Sequence, residues 1–265
     1  MMSRSLKRLH TDKEAVFAYW QKSADRMARQ GQFAQLKDSM IFDHTWFTTV
    51  RAFIDDGKIK DGDFVLDAGC GWGRITSGVK FFVPGATVVG VDANHLRVTA
   101  AKKALADLKL DERVSIEVGD VDHLAFADNT FDVVVCARLL QYVPDPKRTI
   151  RELSRVLRPG GRLVLTIPNK FNPIRFCTYT RKLYSPRSVK GWLIANNLTD
   201  LSCRTIGFLP SFKRLQWTSK WLLLEKAQRI PLVSHLGGLV LATGRKPGTQ
   251  QDECSPRRQL EDQSR

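Results

Sequence analysis

The sequence predicts an α/β protein with a doubly wound, mostly parallel sheet of seven strands. Short runs rich in valine, isoleucine and leucine alternate with helical segments from residue 63 onward. These runs are continuously apolar, as expected for strands that helices cover on both faces. An alternation of this kind produces parallel strand pairs joined by right-handed crossovers. Two further strands near the end of the chain complete the predicted sheet.

The first 58 residues are predicted to form a basic arm and helices that cover the site built by the sheet. Thr11 and Glu14 have the spacing of a capping box, which indicates a helix starting at Thr11. A second helical stretch is predicted from about Asp43 to Ile54. We therefore treat residues 1–58 as an extension of the main domain, residues 59–246.

The strands and helices of the predicted sheet follow in chain order. They are strand DFVLDAG, helix GRITSGVKFF, strand TVVGVDAN, helix HLRVTAAKKALADLKL, strand VSIEVGD, strand FDVVVCAR, helix DPKRTIRELSRVL, turn RPGG and strand RLVLTIPN. Beyond them, Ser185 is a predicted helix cap with Pro186 at the first helical position. LSCRTIGFLP and GGLVLATGRK are the two closing strands, and residues 247–265 form a polar, flexible tail.

The composition is that of a globular chain without signals for export or membrane insertion. Its 265 residues are 43% hydrophobic, which is sufficient for one domain with a core. The chain lacks the roughly 18 consecutive apolar residues of a spanning helix, and its first residues lack the apolar segment of a secretory signal. The five cysteines are scattered, without metal-ligand spacing. We expect a cytoplasmic protein with no metal site.

The net charge of +15 is concentrated in residues 169–230, which we predict to be a substrate lid inserted after the fifth strand. This segment has twelve lysines and arginines against only two acids. Aromatic residues are interleaved with the basic ones, and residues 212–230 have the pattern of an amphipathic helix that includes Trp217 and Trp221. The pattern fits an RNA, a phosphate-bearing substrate, an anionic membrane surface or an ordinary solvated face.

The stretch FVLDAGCGWGRI combines a strand, an acid and a glycine-rich turn. Its three glycines alternate with other residues: Gly69, Gly71 and Gly73. Such a turn lets the backbone bend sharply and approach a ligand closely. The dinucleotide-binding fingerprint requires its third glycine at position 74, where this chain has Arg74. Because Asp67 at the strand end would also repel a pyrophosphate, we expect a ligand with a positive charge there.

Two further acids follow the next strands of the predicted sheet. Asp92 ends the second strand, where a carboxylate accepts hydrogen bonds from both hydroxyls of a ribose. Asp120 ends the third strand, where its carboxylate can accept from an adenine amino group and the Val121 N–H can meet a ring nitrogen. The three acids indicate a ligand with a cationic end, a ribose and an adenine. Alternatively, Asp92 and Asp120 cap the segments that follow them.

Several segments in this order resemble class I S-adenosylmethionine-dependent methyltransferases: VLDAGCGWGR, VDAN, VGD, FDVVVCARLLQYVPDP and RELSRVLRPGGRLVLTIPN. The resemblance covers about residues 60–170 and is closest to the group acting on small molecules and lipids, including quinone-biosynthesis enzymes. It implies a Rossmann-like methyltransferase fold with S-adenosylmethionine as cofactor. The residues it places at the cofactor are Asp67, Gly69, Cys70, Gly71 and Gly73 at the aminocarboxypropyl end, Asp92 and Ala93 at the ribose, Asp120 and Val121 at the adenine, and Ala137 near the amino group.

Gln141 and Tyr142 follow the fourth strand, where the reactive methyl group would lie. They are the predicted catalytic residues, with Tyr142 hydrogen-bonding an acceptor oxygen or only packing against the lid. Relatives often have a histidine before V-P-D-P, so Tyr142 argues against a histidine base at this position. Cys70 has no basic neighbour in the sequence and is interpreted as a packing residue rather than a nucleophile. The isolated histidines are interpreted as surface or capping residues: His44, His95 and His123.

The sequence therefore predicts a methyltransferase that moves a methyl group from S-adenosylmethionine to a small-molecule or lipid-linked acceptor. An RNA methyltransferase is the alternative that the charge favours, although no Asn-Pro-Pro-Tyr motif of amino-group methylation follows the fourth strand. A methyltransferase-like partner subunit that only binds cofactor is a second alternative, which the intact acids disfavour. A dinucleotide-dependent oxidoreductase is a third, which Arg74 disfavours.

Overall fold

A computed structural model of the chain describes residues 44–172, 182–207 and 236–248. Several predictions fall outside these ranges, namely the arm and capping box before residue 44, much of the lid at 169–230 and nearly all of the tail. The predicted amphipathic helix around Trp217 and Trp221 also lies outside the described residues.

The described helices and strands follow the order predicted from the sequence. The helices are α1 (His44–Gly57), α2 (Arg74–Phe82), α3 (His95–Asp107), α4 (Pro146–Val156) and α5 (Pro186–Ala195). The strands are β1 (Phe64–Ala68), β2 (Thr87–Asp92), β3 (Val114–Val118), β4 (Phe131–Ala137), β5 (Leu157–Pro168), β6 (Thr199–Ile206) and β7 (Leu239–Arg245). The predicted cap of α5 is confirmed, because the Ser185 side chain accepts a hydrogen bond from the Ser188 N–H at 3.1 Å.

The strands form one seven-stranded sheet in the order β3-β2-β1-β4-β5-β7-β6. The first five strands pair in parallel, whereas β7 is antiparallel to both β5 and β6. The predicted doubly wound, mostly parallel sheet is therefore confirmed. The chain order reverses between the central strands β1 and β4, and ligands of such sheets bind beyond the carboxyl ends of the strands at this switch point.

The two faces of the sheet each bury an apolar layer. On one face, Leu66 and Val134 belong to a buried cluster that also includes Ile150 and Leu153 of α4. On the other face, a second cluster joins β1 to α1 and α2: Val65, Phe53 and Val79. Continuous apolar runs arise because both faces of the central strands are covered. The edge strand β3 differs, since Ile116 is buried whereas Val118 is 58% exposed.

The segment RPGG behaves differently from its prediction as a turn that precedes the fifth strand. Leu157 already pairs with Phe131 of β4, and the pairing resumes at Arg162 opposite Val133. The four residues between them form an irregularity within β5 rather than a separate turn. Gly161 is required there, because an added Cβ would lie 2.8 Å from the Asp132 carbonyl oxygen.

The described ranges, residues 44–172, 182–207 and 236–248, contain free thiols but neither a membrane-spanning helix nor a cluster of metal ligands. In these ranges no helix is long and apolar enough to cross a membrane. Within the same ranges, no group of three or more His, Cys, Asp or Glu side chains could hold a metal ion. The described cysteines carry free thiols: Cys70, Cys136 and Cys203.

Candidate active site

A cavity of about 360 Å³ opens at the carboxyl ends of β1, β2, β4 and β5, where the strand order reverses. Thr49 of α1 and Leu239 of β7 complete its wall. Seven residues predicted at the site line it: Asp67, Gly69, Cys70, Gly71, Asp92, Ala137 and Tyr142. The fold thus brings the glycine turn, two strand-end acids and the segment after β4 to one place.

Asp67 is a buried carboxylate in the wall of this cavity, with 1% of its surface exposed. Its Oδ2 accepts hydrogen bonds from the Thr76 N–H at 3.0 Å and from the Thr76 hydroxyl at 2.7 Å. Its Oδ1 has no hydrogen-bond partner among the described residues. Burial raises the pKa of Asp67 from 3.8 to about 6, against the lowering effect of the Thr76 hydrogen bonds. An unpartnered acceptor oxygen with a desolvated charge suits a cationic ligand.

Asp92, at the end of β2, ties the glycine turn to the next segment. Its Oδ2 accepts from the Gly71 N–H at 3.0 Å, and its Oδ1 accepts from the Asn94 N–H at 2.9 Å. A carboxylate has about four acceptor sites, so lone pairs remain for a ligand. Asn94 itself caps α3 by accepting from the Arg97 N–H at 3.1 Å. The alternative of a capping role for Asp92 on α3 is therefore wrong, because Asn94 fills it.

The glycines of the turn have two different structural roles. All three have left-handed φ angles, which residues with a Cβ rarely adopt: 75° at Gly69, 54° at Gly71 and 76° at Gly73. At Gly71, the nearest atom to an added Cβ would be Asp92 Oδ2, at 4.0 Å, so the backbone borders open space. At Gly73, an added Cβ would lie 3.2 Å from the Ala101 Cβ of α3. Gly73 therefore permits close packing of α3 and does not line the cavity.

Cys70 is packed into the turn and is 7% exposed. An added Cβ at Gly90 of β2 would lie 3.1 Å from the Cys70 Sγ. Burial, together with the nearby Asp67 and Asp92, raises the pKa of its thiol well above the ordinary value. A thiol that stays protonated is a weak nucleophile, which supports the interpretation of Cys70 as a packing residue.

The predicted adenine residues lie after β3 and do not line the cavity. β3 ends at Val118, and the Asp120 carboxylate accepts a hydrogen bond from the Asp122 N–H at 3.0 Å. This contact fits the alternative in which Asp120 caps the following loop. Val121 is buried in the core, and Ala93 after β2 is exposed. The adenine and ribose roles of these residues stay predictions.

The segment after β4 supplies the other side of the cavity. Tyr142 is half-buried and lines it, and its N–H donates to the Leu139 carbonyl oxygen at 2.8 Å. Gln141 does not line it and is 2% exposed. The side-chain oxygen and nitrogen of Gln141 have no hydrogen-bond partner among the described residues. The catalytic role of either residue stays a prediction, and burial of Gln141 limits it to an indirect role in this geometry.

Two of the isolated histidines, His95 and His123, lie away from the cavity lining. His95 is the first residue of α3, and the His123 ring lies 2.6 Å from the Arg148 guanidinium, on the exposed surface. Among the described residues that line the cavity there is no histidine, lysine or glutamate.

Sequence reasoning missed several lining residues. They include Thr49, Trp72, Arg97, Arg138, Leu139 and Thr166. The Arg97 guanidinium carbon lies 5.6 Å from the Trp72 ring centroid, a distance typical of a cation–π contact. Burial lowers the pKa of Arg97 while the neighbouring Asp92 raises it, so the two opposite charges lie close together. The position of Trp72 inside the glycine turn was a usable signal, whereas Thr166 depends on the pairing of β4 with β5.

Comparison with known proteins assigns this domain to a family. Residues 66–165 match the family model described as a methyltransferase domain. The chain is 34% identical over 126 residues to a demethylmenaquinone methyltransferase of Lactobacillus johnsonii, covering 47% of this chain and 52% of that relative. It is 34% identical over 149 residues to a ubiquinone/menaquinone biosynthesis C-methyltransferase of Hahella chejuensis, covering 56% and 60% respectively. The chain thus spans little more than half the length of these relatives.

Solved structures share the fold at low sequence identity. A chain of the complex between the Haloferax volcanii Trm112 methyltransferase activator and a methyltransferase matches with a TM-score of 0.62 and 22% identity. The match covers 84% of this chain and 97% of that one. This likeness shows the fold alone, whereas the family match identifies residues 66–165 as a methyltransferase domain. The family resemblance and the cofactor class predicted from the sequence are confirmed.

Proposed function

We propose that the chain transfers a methyl group from S-adenosylmethionine to a small-molecule or lipid-linked acceptor. The observation that carries the proposal is the buried Oδ1 of Asp67, an acceptor oxygen without a partner among the described residues, in the wall of a cavity that Asp92 also lines. A carboxylate in this state is stabilised by a ligand that brings a positive charge and hydrogen-bond donors.

The residues present fit S-adenosylmethionine at each charged or polar part that the cavity reaches. Asp67 would hold the cationic aminocarboxypropyl end, and Gly71 leaves the backbone open for close approach. Asp92 would accept from the ribose hydroxyls with its remaining lone pairs. Asp120 and Val121 are proposed for the adenine, on the side of β2 that faces β3. When bound, the cofactor supplies a methyl group on a sulfonium, which is a good leaving group.

The chain's own residues would mainly align the acceptor and exclude water. Tyr142 lies in the segment after β4, where the methyl group is predicted to lie. Its hydroxyl would orient an acceptor oxygen by a hydrogen bond. Asp67 is committed to the cofactor's cationic end, so it is not proposed as a base. Gln141 is buried next to Tyr142 and outside the cavity lining, so it would act only indirectly. This set suits an acceptor that is already nucleophilic or acidic, since such an acceptor requires no strong general base.

The proposed acceptor class is supported by the relatives that share the domain. One is named for demethylmenaquinone and the other for ubiquinone/menaquinone biosynthesis. The basic and aromatic lid at 169–230 would bind the acceptor, and its charge also suits an anionic membrane surface in the cytoplasm. The same charge supports RNA as the second candidate acceptor.

Methyl-labelled S-adenosylmethionine tests the proposal directly. The full chain is incubated with three separate acceptor pools: a lipid extract, polar small molecules and RNA. We expect label in the lipid or small-molecule pool, and much less label with the Asp67→Asn variant. Label in RNA alone, falling steeply with salt as phosphate contacts require, would favour the RNA alternative. Cofactor binding without transfer to any pool would instead indicate a partner subunit.

A further inference from the structure

The two sides of the cavity differ in charge. On the β1 and β2 side, the carboxylates of Asp67 and Asp92 lie with Arg74 and Arg97. On the β4, β5 and β7 side, the described lining residues are Ala137, Arg138, Leu139, Tyr142, Thr166 and Leu239. Arg138 is therefore the one residue on this side that is charged at neutral pH, and no described acid there balances it.

Arg138 is held in an unusual backbone conformation directly after β4. Its φ is +53°, in the left-handed region that residues other than glycine, asparagine and aspartate seldom adopt. Its N–H donates to the Thr166 carbonyl oxygen of β5 at 2.9 Å, which anchors this geometry to the sheet. Strained residues of this kind concentrate at ligand sites, where the surrounding structure compensates for the strain. The consequence here is that an exposed arginine lines the cavity at the end of the strand.

The side chain of Arg138 makes no hydrogen bond or ion pair with the described residues. A second polar group on the same side is also unsatisfied. Thr166 is fully buried and lines the cavity, and its Oγ1 has no hydrogen-bond partner among the described residues. A buried hydroxyl without a partner is costly, so its presence at a cavity wall points to a ligand oxygen or nitrogen that completes it.

We propose that the acceptor binds as an anion, with a carboxylate or phosphate group held by the Arg138 guanidinium and a neighbouring oxygen held by the Thr166 hydroxyl. The inference rests on the proposed function, since it assigns the β4–β5 side of the cavity to the acceptor. A guanidinium binds both carboxylate and phosphate through two parallel N–H···O bonds, which an amine cannot reproduce. Arg138 thus selects acceptors by charge, while Tyr142 orients the oxygen to be methylated.

Matched pairs of small aromatic probes test the charge selection. The full chain is first loaded with S-adenosylhomocysteine, and calorimetry then measures the binding of benzoate against benzamide, and of phenyl phosphate against benzyl alcohol. We expect the anion of at least one pair to bind about tenfold or more tightly than its neutral partner, as a charged hydrogen bond provides. The pair that shows the preference distinguishes a carboxylate from a phosphate acceptor.

Arg138→Gln should abolish the preference, and Arg138→Lys should restore only part of it. Thr166→Val, which keeps the shape, should spare the preference, because the anionic group itself binds Arg138. Arg113→Gln is the matched control, because Arg113 is also exposed with a left-handed φ of 54° but lies before β3, outside the cavity. This control should keep the full preference.

The outcomes separate the inference from the proposed function. If the parent chain binds S-adenosylhomocysteine but prefers neither anion, or if Arg138→Gln keeps the preference, the anion site is refuted while the proposed function stands. Equal loss in Arg113→Gln would also refute it, since general surface charge would then explain the selection. A parent chain that does not bind S-adenosylhomocysteine would overturn the proposed function and this inference together.

Discussion

Replacing Asp67 by asparagine should weaken cofactor binding. In the cofactor-free protein, the stability of the variant relative to the parent should be greater at neutral pH than at acid pH. Burial raises the pKa of Asp67 from 3.8 in the unfolded chain to about 6 in the fold. The folded protein therefore binds this proton more tightly than the unfolded chain does. The stability this provides is complete below pH 3.8 and is lost as the pH rises through about 6. The neutral amide of asparagine has no such loss.

The size of this loss in stability follows from the part of the interval between the two pKa values that lies above pH 5. Each unit of pKa difference corresponds to ~1.4 kcal/mol. About one unit of the window lies between pH 5 and pH 6, so the parent should lose roughly 1.4 kcal/mol from this group between pH 5 and pH 7.5. Asparagine keeps an oxygen that can accept from the Thr76 N–H and hydroxyl, so the contacts of Oδ2 survive in the variant.

Urea unfolding of the cofactor-free parent and Asp67→Asn at pH 5 and pH 7.5 measures this effect. The stability difference between the two proteins should shift by roughly 1.4 kcal/mol in favour of the variant on going to pH 7.5. Asp111→Asn, which removes one exposed carboxylate, is the control for the change in net charge. A stability difference that is the same at both pH values would refute the account in which the charge of buried Asp67 is destabilised until a cationic ligand binds.

Three further changes test other parts of the molecule. Asp92→Ala should weaken cofactor binding by roughly 1.5–3 kcal/mol and Asp92→Asn by less; calorimetry that finds both equal to the parent would reject the ribose assignment. Lys246→Met should lower the free energy of unfolding by about 1–2 kcal/mol. The reason is that Lys246 Nζ donates to the Leu157 and Ser154 carbonyl oxygens, at 2.7 and 2.8 Å, where α4 ends. An unchanged urea midpoint would show that these contacts do not contribute to stability. Changing Lys213 and Arg214 to glutamate should reduce transfer to the acceptor and spare cofactor affinity, and a calorimetric loss of cofactor binding would contradict that division.

The fold could be predicted because the sequence repeats one local pattern. Runs such as that around Leu66 are apolar at every position, and only a strand covered on both faces requires this. The strand order was not accessible in the same way. The antiparallel insertion of β7 between β5 and β6 depends on pairing between segments distant in sequence, and residue periodicity does not record such pairing. The RPGG irregularity escaped prediction for the same reason, since Leu157 joins the sheet through Phe131.

The residues of the candidate site also differ in how far the sequence alone could predict them. The meeting of Asp67, Gly71 and Asp92 at one cavity was predictable, since ligands of such sheets bind beyond the carboxyl ends of the strands. Arg138 and Thr166 were not, because an arginine after a strand and a threonine within one are common in any sheet. Their proposed role rests on a left-handed φ and an unpartnered hydroxyl, which are properties of the folded chain.

The central claim is that the cavity between β1, β2 and β4 binds S-adenosylmethionine through the acids at the ends of its strands. Calorimetric titration of the full chain with S-adenosylmethionine, and separately with NAD, tests this most directly. The account predicts saturable binding of S-adenosylmethionine that is weakened in both Asp67→Asn and Asp92→Ala, and no measurable binding of NAD. Tighter binding of NAD than of S-adenosylmethionine, or S-adenosylmethionine binding that ignores both substitutions, would contradict it.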